Sequence, residues 1–98
     1  MPPVMVVHQT ESLTRERYEA VVRGLTRGKP KLESPADVPT PGLLVHVAAE
    51  TDDGFLIFDV FESQAAFDRF RALASPIATE AGIDEPPRSY PLHTYISV

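Results

Sequence analysis

The stretch Gly42 to Glu62, GLLVHVAAETDDGFLIFDVFE, constrains this chain more than any other. Two apolar runs of strand composition, Leu43 to Ala49 and Phe55 to Glu62, flank an acidic turn that ends at Gly54. A glycine there can take the positive φ that a tight turn demands, so the two runs read as a hairpin. Each run carries one ionisable residue in apolar surroundings, His46 in the first and Asp59 in the second. Burying such a group is costly unless it gains a partner. The two are therefore either a structural couple or the working part of a site.

The flanking segments supply the rest of a small α+β domain. Val4 to Gln9 is a Val-rich first strand. Thr14 to Arg27 is predicted helical, because Tyr18, Val21, Val22 and Leu25 recur at the spacing of one helix face. Thr14 suits the N-cap, Leu13 can pack on Tyr18 as a staple, and Gly28 suits the stop. Gly28 to Pro41 holds four prolines and no apolar period, so it reads as a long crossover loop. Ser63 caps a second helix whose buried stripe is Ala66, Phe67, Phe70, Leu73 and Ala74. Pro76 should kink or end it near Ser75, with a further turn over 77–81. After a linker at 85–87, Tyr90 to Val98 is the expected last strand.

The order β-α-β-β-α-β is the ferredoxin-like plan, an antiparallel four-stranded sheet with two helices on one face. Such a sheet normally shows polar residues on its open face. Here both rows of the hairpin strands are apolar, so both faces need cover, and a second copy of the chain is the simplest cover. At 98 residues the chain makes one domain, 1–98, with a modest core. The formal charge of −5, from 14 acidic and 9 basic residues, argues against a nucleic-acid or anionic-membrane surface. The absence of cysteine excludes disulfides, thiolate nucleophiles and Cys-ligated metal centres, and fits a cytoplasmic protein. MPPVMVVHQ lacks the features of a signal peptide, and no apolar run approaches the roughly 20 residues of a spanning helix.

From Gly54 to Phe70, GFLIFDVFESQAAFDRF, a strand ends in an aromatic-Glu-Ser step and leads into a helix with Ala-Phe and a later Phe. With the element order and length, this resembles the dimeric α+β barrel superfamily, which includes antibiotic biosynthesis monooxygenases, small polyketide cyclases and stress-responsive barrel proteins. The resemblance implies a homodimer with packed sheets and a small-molecule cavity. It also implies cofactor-independent oxygenation or cyclisation of an aromatic or polyketide-like compound. Polyketide cyclases of this fold use a histidine and a tyrosine near the cavity, and His93 with Tyr90 or Tyr95 match by position on the last strand. The second helix lacks the histidine of haem-degrading relatives, so that activity is not expected.

The residues themselves nominate a polar set. Alternation along strands lets His8, His46, Asp59, His93 and Tyr95 each point to the sheet face that the helices leave open. His46 and Asp59 sit on adjacent strands and meet in a suitable register, which a one-residue slip would break. A paired His46 could act as general acid or base with Asp59 orienting it. His46, Asp59 and His93 are the catalytic candidates. His8, Phe55, Ile57, Phe61, Tyr90 and Tyr95 are the candidates for ligand contact, the phenylalanines having core packing as their plainer reading. The spacing lacks a close metal-ligand pair, a nucleophile elbow and a Gly-rich phosphate loop, so neither metal nor cofactor is expected. The basic run Arg15, Arg17, Arg23, Arg27, Lys29 and Lys31 reads as a solvated face, or as one that steers an acidic ligand. Three functions remain open: an acid–base enzyme on a small apolar molecule, a non-catalytic stress-related or ligand-sequestering homodimer, and an interaction module that exposes an apolar sheet to a different partner.

Overall fold

A computed structural model describes residues 2–96. Strands β1 (Val4–His8), β2 (Leu43–Thr51), β3 (Gly54–Phe61) and β4 (Arg88–Pro91) form one sheet in the order β2-β3-β1-β4. Every neighbouring pair is antiparallel. Helices α1 (Arg15–Thr26) and α2 (Gln64–Glu80) complete the ferredoxin-like α+β arrangement expected from the element order.

The caps follow from the sequence. The Thr14 side chain accepts from Arg17 N–H at 3.2 Å, and the Ser63 side chain accepts from Ala66 N–H at 3.1 Å. Helix α1 ends with Gly28 N–H donating to the Arg23 carbonyl at 2.9 Å. The loop over 28–41 gains one short 3₁₀ turn, Pro35–Asp37.

The hairpin is tighter than the sequence suggests. Thr51 pairs with Gly54, so only Asp52 and Asp53 form the turn, and the register runs back through Ala48–Ile57 to His46–Asp59. Between Leu43 and Val45 the register shifts. This bulge brings Leu43 opposite Phe61, where it packs on the core formed by Val4, Val6, Phe61, Ala66 and Phe67. A second apolar cluster, Leu13, Phe55 and Ile83, gathers Tyr18, Val21, Ala48 and Ile57 around it.

Three expectations are corrected. Pro76 does not end α2, which runs unbroken to Glu80. Its second half is held by packing on α1, so close that a Cβ at Gly24 would lie 2.7 Å from Ile77 Cγ2. Leu73, assigned to the buried stripe, is 47% exposed. The last strand is Arg88–Pro91 rather than 90–98. Pro87 and Pro91, which lack an N–H, bracket this edge strand. His93, Thr94, Tyr95 and Ile96 follow it outside the sheet, and Ser97 and Val98 lie outside the described residues.

Gly42 joins the loop to β2 at φ +105°, and a Cβ there would stand 2.5 Å from Ala66 Cβ. Gly28 also has positive φ, but a Cβ there meets nothing within 4 Å. Gly42→Ala should therefore cost roughly 3 kcal/mol in urea unfolding, from backbone strain plus overpacking. Gly28→Ala, with strain alone, should cost about 1 kcal/mol.

Candidate functional site

The registers fix which side chains share a face. On the helix side, β3 presents Phe55, Ile57, Asp59 and Phe61, with His46 beside Asp59 on β2 and Val4 and Val6 opposite on β1. The polar couple is thus under the helices, not on the open face where alternation alone had put it. The reason lies in β3: the row that contains Asp59 also contains Phe55 and Phe61, and these aromatic residues belong to the core. The open face carries the other row, including Val47 at 50% and Tyr90 at 43% exposure.

Asp59 is the buried carboxylate between the two apolar clusters, with 7% exposure. His46 Nδ1 lies 2.6 Å from its Oδ1. On the other side of the ring, Nε2 lies 2.7 Å from the Tyr18 hydroxyl, delivered by the apolar stripe of α1. The Tyr18 and His46 rings are nearly coplanar in orientation, 12° apart with centroids at 6.0 Å, and Tyr18 also rests against Phe55. The result is an unbroken chain, Tyr18–His46–Asp59, from helix to central strand. An ionised Asp59 accepts only, which places a proton on Nδ1 and leaves neutral His46 with a bare Nε2 to accept the Tyr18 hydroxyl.

Burial sets the electrostatics. It pushes the Asp59 carboxyl up from its ordinary range, against the opposing effects of the His46 hydrogen bond and of the His46 and His8 charges. Burial, reinforced by the charges of Asp59 and Glu19, pushes the Tyr18 phenol up to about 12. Tyr18 is therefore a protonated phenol at neutral pH.

Tyr18, His46 and Asp59 all line a solvent-open cavity of about 320 Å³ bordered by both helices, the sheet and the 83–87 segment. Its walls draw on both apolar clusters; α2 contributes Phe67, Phe70 and Arg71 from its first half and the small side chains of Ala74, Ser75 and Ala78 further along. This is the lower end of ligand-pocket sizes, about 300–1,000 Å³. A second cavity of about 360 Å³ lies under the Pro-rich loop, and Leu32 and His46 line both.

Of the residues singled out from sequence, His46, Asp59, His8 and Ile57 reach the first cavity. His8 is held there by the Glu85 carbonyl, 2.8 Å from its Nε2. Phe55 and Phe61 are buried in the two clusters behind it. His93 is exposed and bonded only locally, to Thr94, and Tyr90 and Tyr95 are exposed outside the cavity, so these three do not join His46 and Asp59. Sequence reasoning passed over Tyr18. Its signal was available: a tyrosine on a buried apolar stripe needs a partner for its hydroxyl. Among the described residues no group of three His, Asp or Glu side chains is placed to hold a metal ion. Within the basic run, Arg15 pairs with Glu19 and Glu50, Lys29 pairs with Glu33 and Asp37, and Arg17 donates to the Ser12 carbonyl. No family model, curated protein or solved structure matches the chain. No helix among the described residues is long and apolar enough to cross a membrane.

Asp59 gives a signed pH dependence. A carboxyl whose folded pKa is raised binds more protons folded than unfolded over the interval between the two pKa values. Its contribution is present below the unfolded value, about 3.9, and is lost as pH rises through the folded one. Chemical unfolding across this interval should show Asp59→Asn retaining stability that the parent loses. A parent-minus-variant difference that grows with pH would contradict the assignment.

Proposed function

We propose that this chain is a small-molecule-binding protein of the dimeric α+β barrel kind that performs acid–base chemistry on an apolar, aromatic or polyketide-like ligand, in the manner of a cofactor-independent oxygenase or cyclase. The observation that carries the reading is a complete Tyr–His–Asp hydrogen-bond chain bordering a cavity that is otherwise mainly apolar. A chain of this kind lets a group at the ligand exchange a proton with an imidazole whose far side is fixed by a carboxylate. The apolar walls supply binding, and the polar chain supplies orientation through its Tyr18 end.

Ala74→Trp fills the cavity from α2 and should abolish binding of small aromatic compounds, followed by NMR shifts of the cavity residues. With a turned-over substrate, His46→Ala should lower kcat by roughly 10²–10⁴-fold, the usual share of a general acid or base. A folded His46→Ala variant with unchanged turnover would favour the ligand-sequestering alternative, in which the three polar groups satisfy only one another.

The homodimer belongs to the same proposal. Met5, Val7, Leu56 and Phe58 lie half-buried on the open face beside the more exposed Val47 and Tyr90. An apolar face of this extent on a small domain is better covered than solvated. Sedimentation at low micromolar concentration should give a dimer, and Val47→Glu should shift it to monomer.

A further inference from the structure

We infer that the ligand of the first cavity bears a weakly acidic hydroxyl, a phenol or an enol, and that the Tyr18–His46–Asp59 chain takes up its proton. This rests on the small-molecule reading above and goes further by naming the ligand's reacting group.

The argument starts from hydrogen-bond capacity. With Asp59 ionised and His46 neutral, the carboxylate oxygen holds the proton of His46 Nδ1, and His46 Nε2 accepts the Tyr18 hydroxyl. Tyr18 has then spent its only proton inside the chain. What it still offers to the cavity is a lone pair, so the ligand atom that meets it must be a donor. Tyr18 is also too weak an acid to serve as a resting phenolate, since burial holds its pKa at about 12. It works as a relay and His46 as the acceptor.

The step balances without a co-reactant. The ligand O–H bond breaks and a new O–H bond forms on Tyr18. The original Tyr18 O–H bond breaks and a bond forms between that proton and His46 Nε2. No electrons change hands between molecules. The products are a ligand oxyanion that accepts a hydrogen bond from Tyr18, and an imidazolium whose charge faces the Asp59 carboxylate. Tyr18 is the member of the chain that takes the ligand's proton, while His46 and Asp59 act through it.

The surroundings suit a neutral weak acid more than a permanent anion. The walls near the chain are Val21, Val22, Leu25, Ile57 and Phe70, all apolar. The other titratable groups that face this region are engaged or distant in role. His8 on β1 is tied to the Glu85 carbonyl, Glu19 on α1 to Arg15, and Arg71 on α2 lies over the Phe67 ring at 5.3 Å, while Asp84 and Glu85 border the cavity with negative charge. A strong acid would enter as an anion past those two carboxylates, whereas a phenol enters uncharged and ionises inside.

The test uses 4-nitrophenol, whose ionisation is visible in absorbance, and 4-nitroanisole, which has the same shape but no acidic hydroxyl. Both should bind the intact protein. Bound 4-nitrophenol should ionise at lower pH than free 4-nitrophenol, with its acid constant raised about tenfold or more, a shift of one pH unit or more. Tyr18→Phe and His46→Gln should each bind both probes and abolish the shift. Binding of both probes with an unshifted titration, or a shift that survives in both variants, overturns the proton-uptake inference while leaving the binding cavity intact. Failure of both probes to bind the intact protein overturns the small-molecule reading and this inference together.

Discussion

Everything at the centre of this fold is arranged around a carboxylate that ought not to be there. Asp59 interrupts the β3 row Phe55–Ile57–Asp59–Phe61 and is buried with its apolar neighbours. Desolvation alone would make that position untenable for an ionised group. The solution is local and geometric: a two-residue turn sets the β2–β3 register, and the register sets His46 beside Asp59. A slip of one residue would leave the acid facing Val45 or Val47 and carry His46 to the other face. The turn at Asp52–Asp53 thus determines the electrostatics of a site several residues away along the ladder.

The same interruption explains why there is a void. Apolar packing gathers into two clusters, one around Phe61 and Phe67 and the other around Leu13, Phe55 and Ile83, and the polar chain occupies the seam between them. Helix α2 crosses the seam with Ala74, Ser75 and Ala78 where larger side chains would close it. The helices cannot collapse into the gap freely, because Gly24 and Ile77 are already in close approach. A domain this small has little apolar surface to spare, so leaving about 320 Å³ unfilled forgoes contacts that would otherwise stabilise it.

The legible part of this molecule was whatever a single element decides. Helix caps at Thr14 and Ser63, the strand composition of the hairpin and the element order could all be read directly, and they carried the fold class. The His46–Asp59 couple was legible as well, because two ionisable groups in apolar runs of one hairpin invite pairing. What escaped depends on relations between elements. Alternation says that His46 and Asp59 share a face but not which face the helices cover, and only the packing of Phe55 and Phe61 decides that. Leu43 changes rows because of a bulge that no residue in LLV announces. Pro76 stays helical because Ile77 is clasped by α1, a tertiary contact that outweighs a local rule. Tyr18 was visible as a stripe residue, and its hydroxyl was the overlooked clue.

The two faces of the sheet carry separate sets of side chains. All three members of the polar chain come from one chain and from the helix-covered side, and they need nothing from the opposite face to make their hydrogen bonds. The open face presents its own apolar row on alternate residues of the same strands. On β2, Val47 lies on the open face and its neighbour His46 on the face that borders the cavity, the alternation being broken at the Leu43–Val45 bulge. Coupling between the two faces can pass only through the backbone ladder they share. The β2 edge is where such coupling would be strongest, since His46 lies there between two cavities and beside the bulge at Leu44.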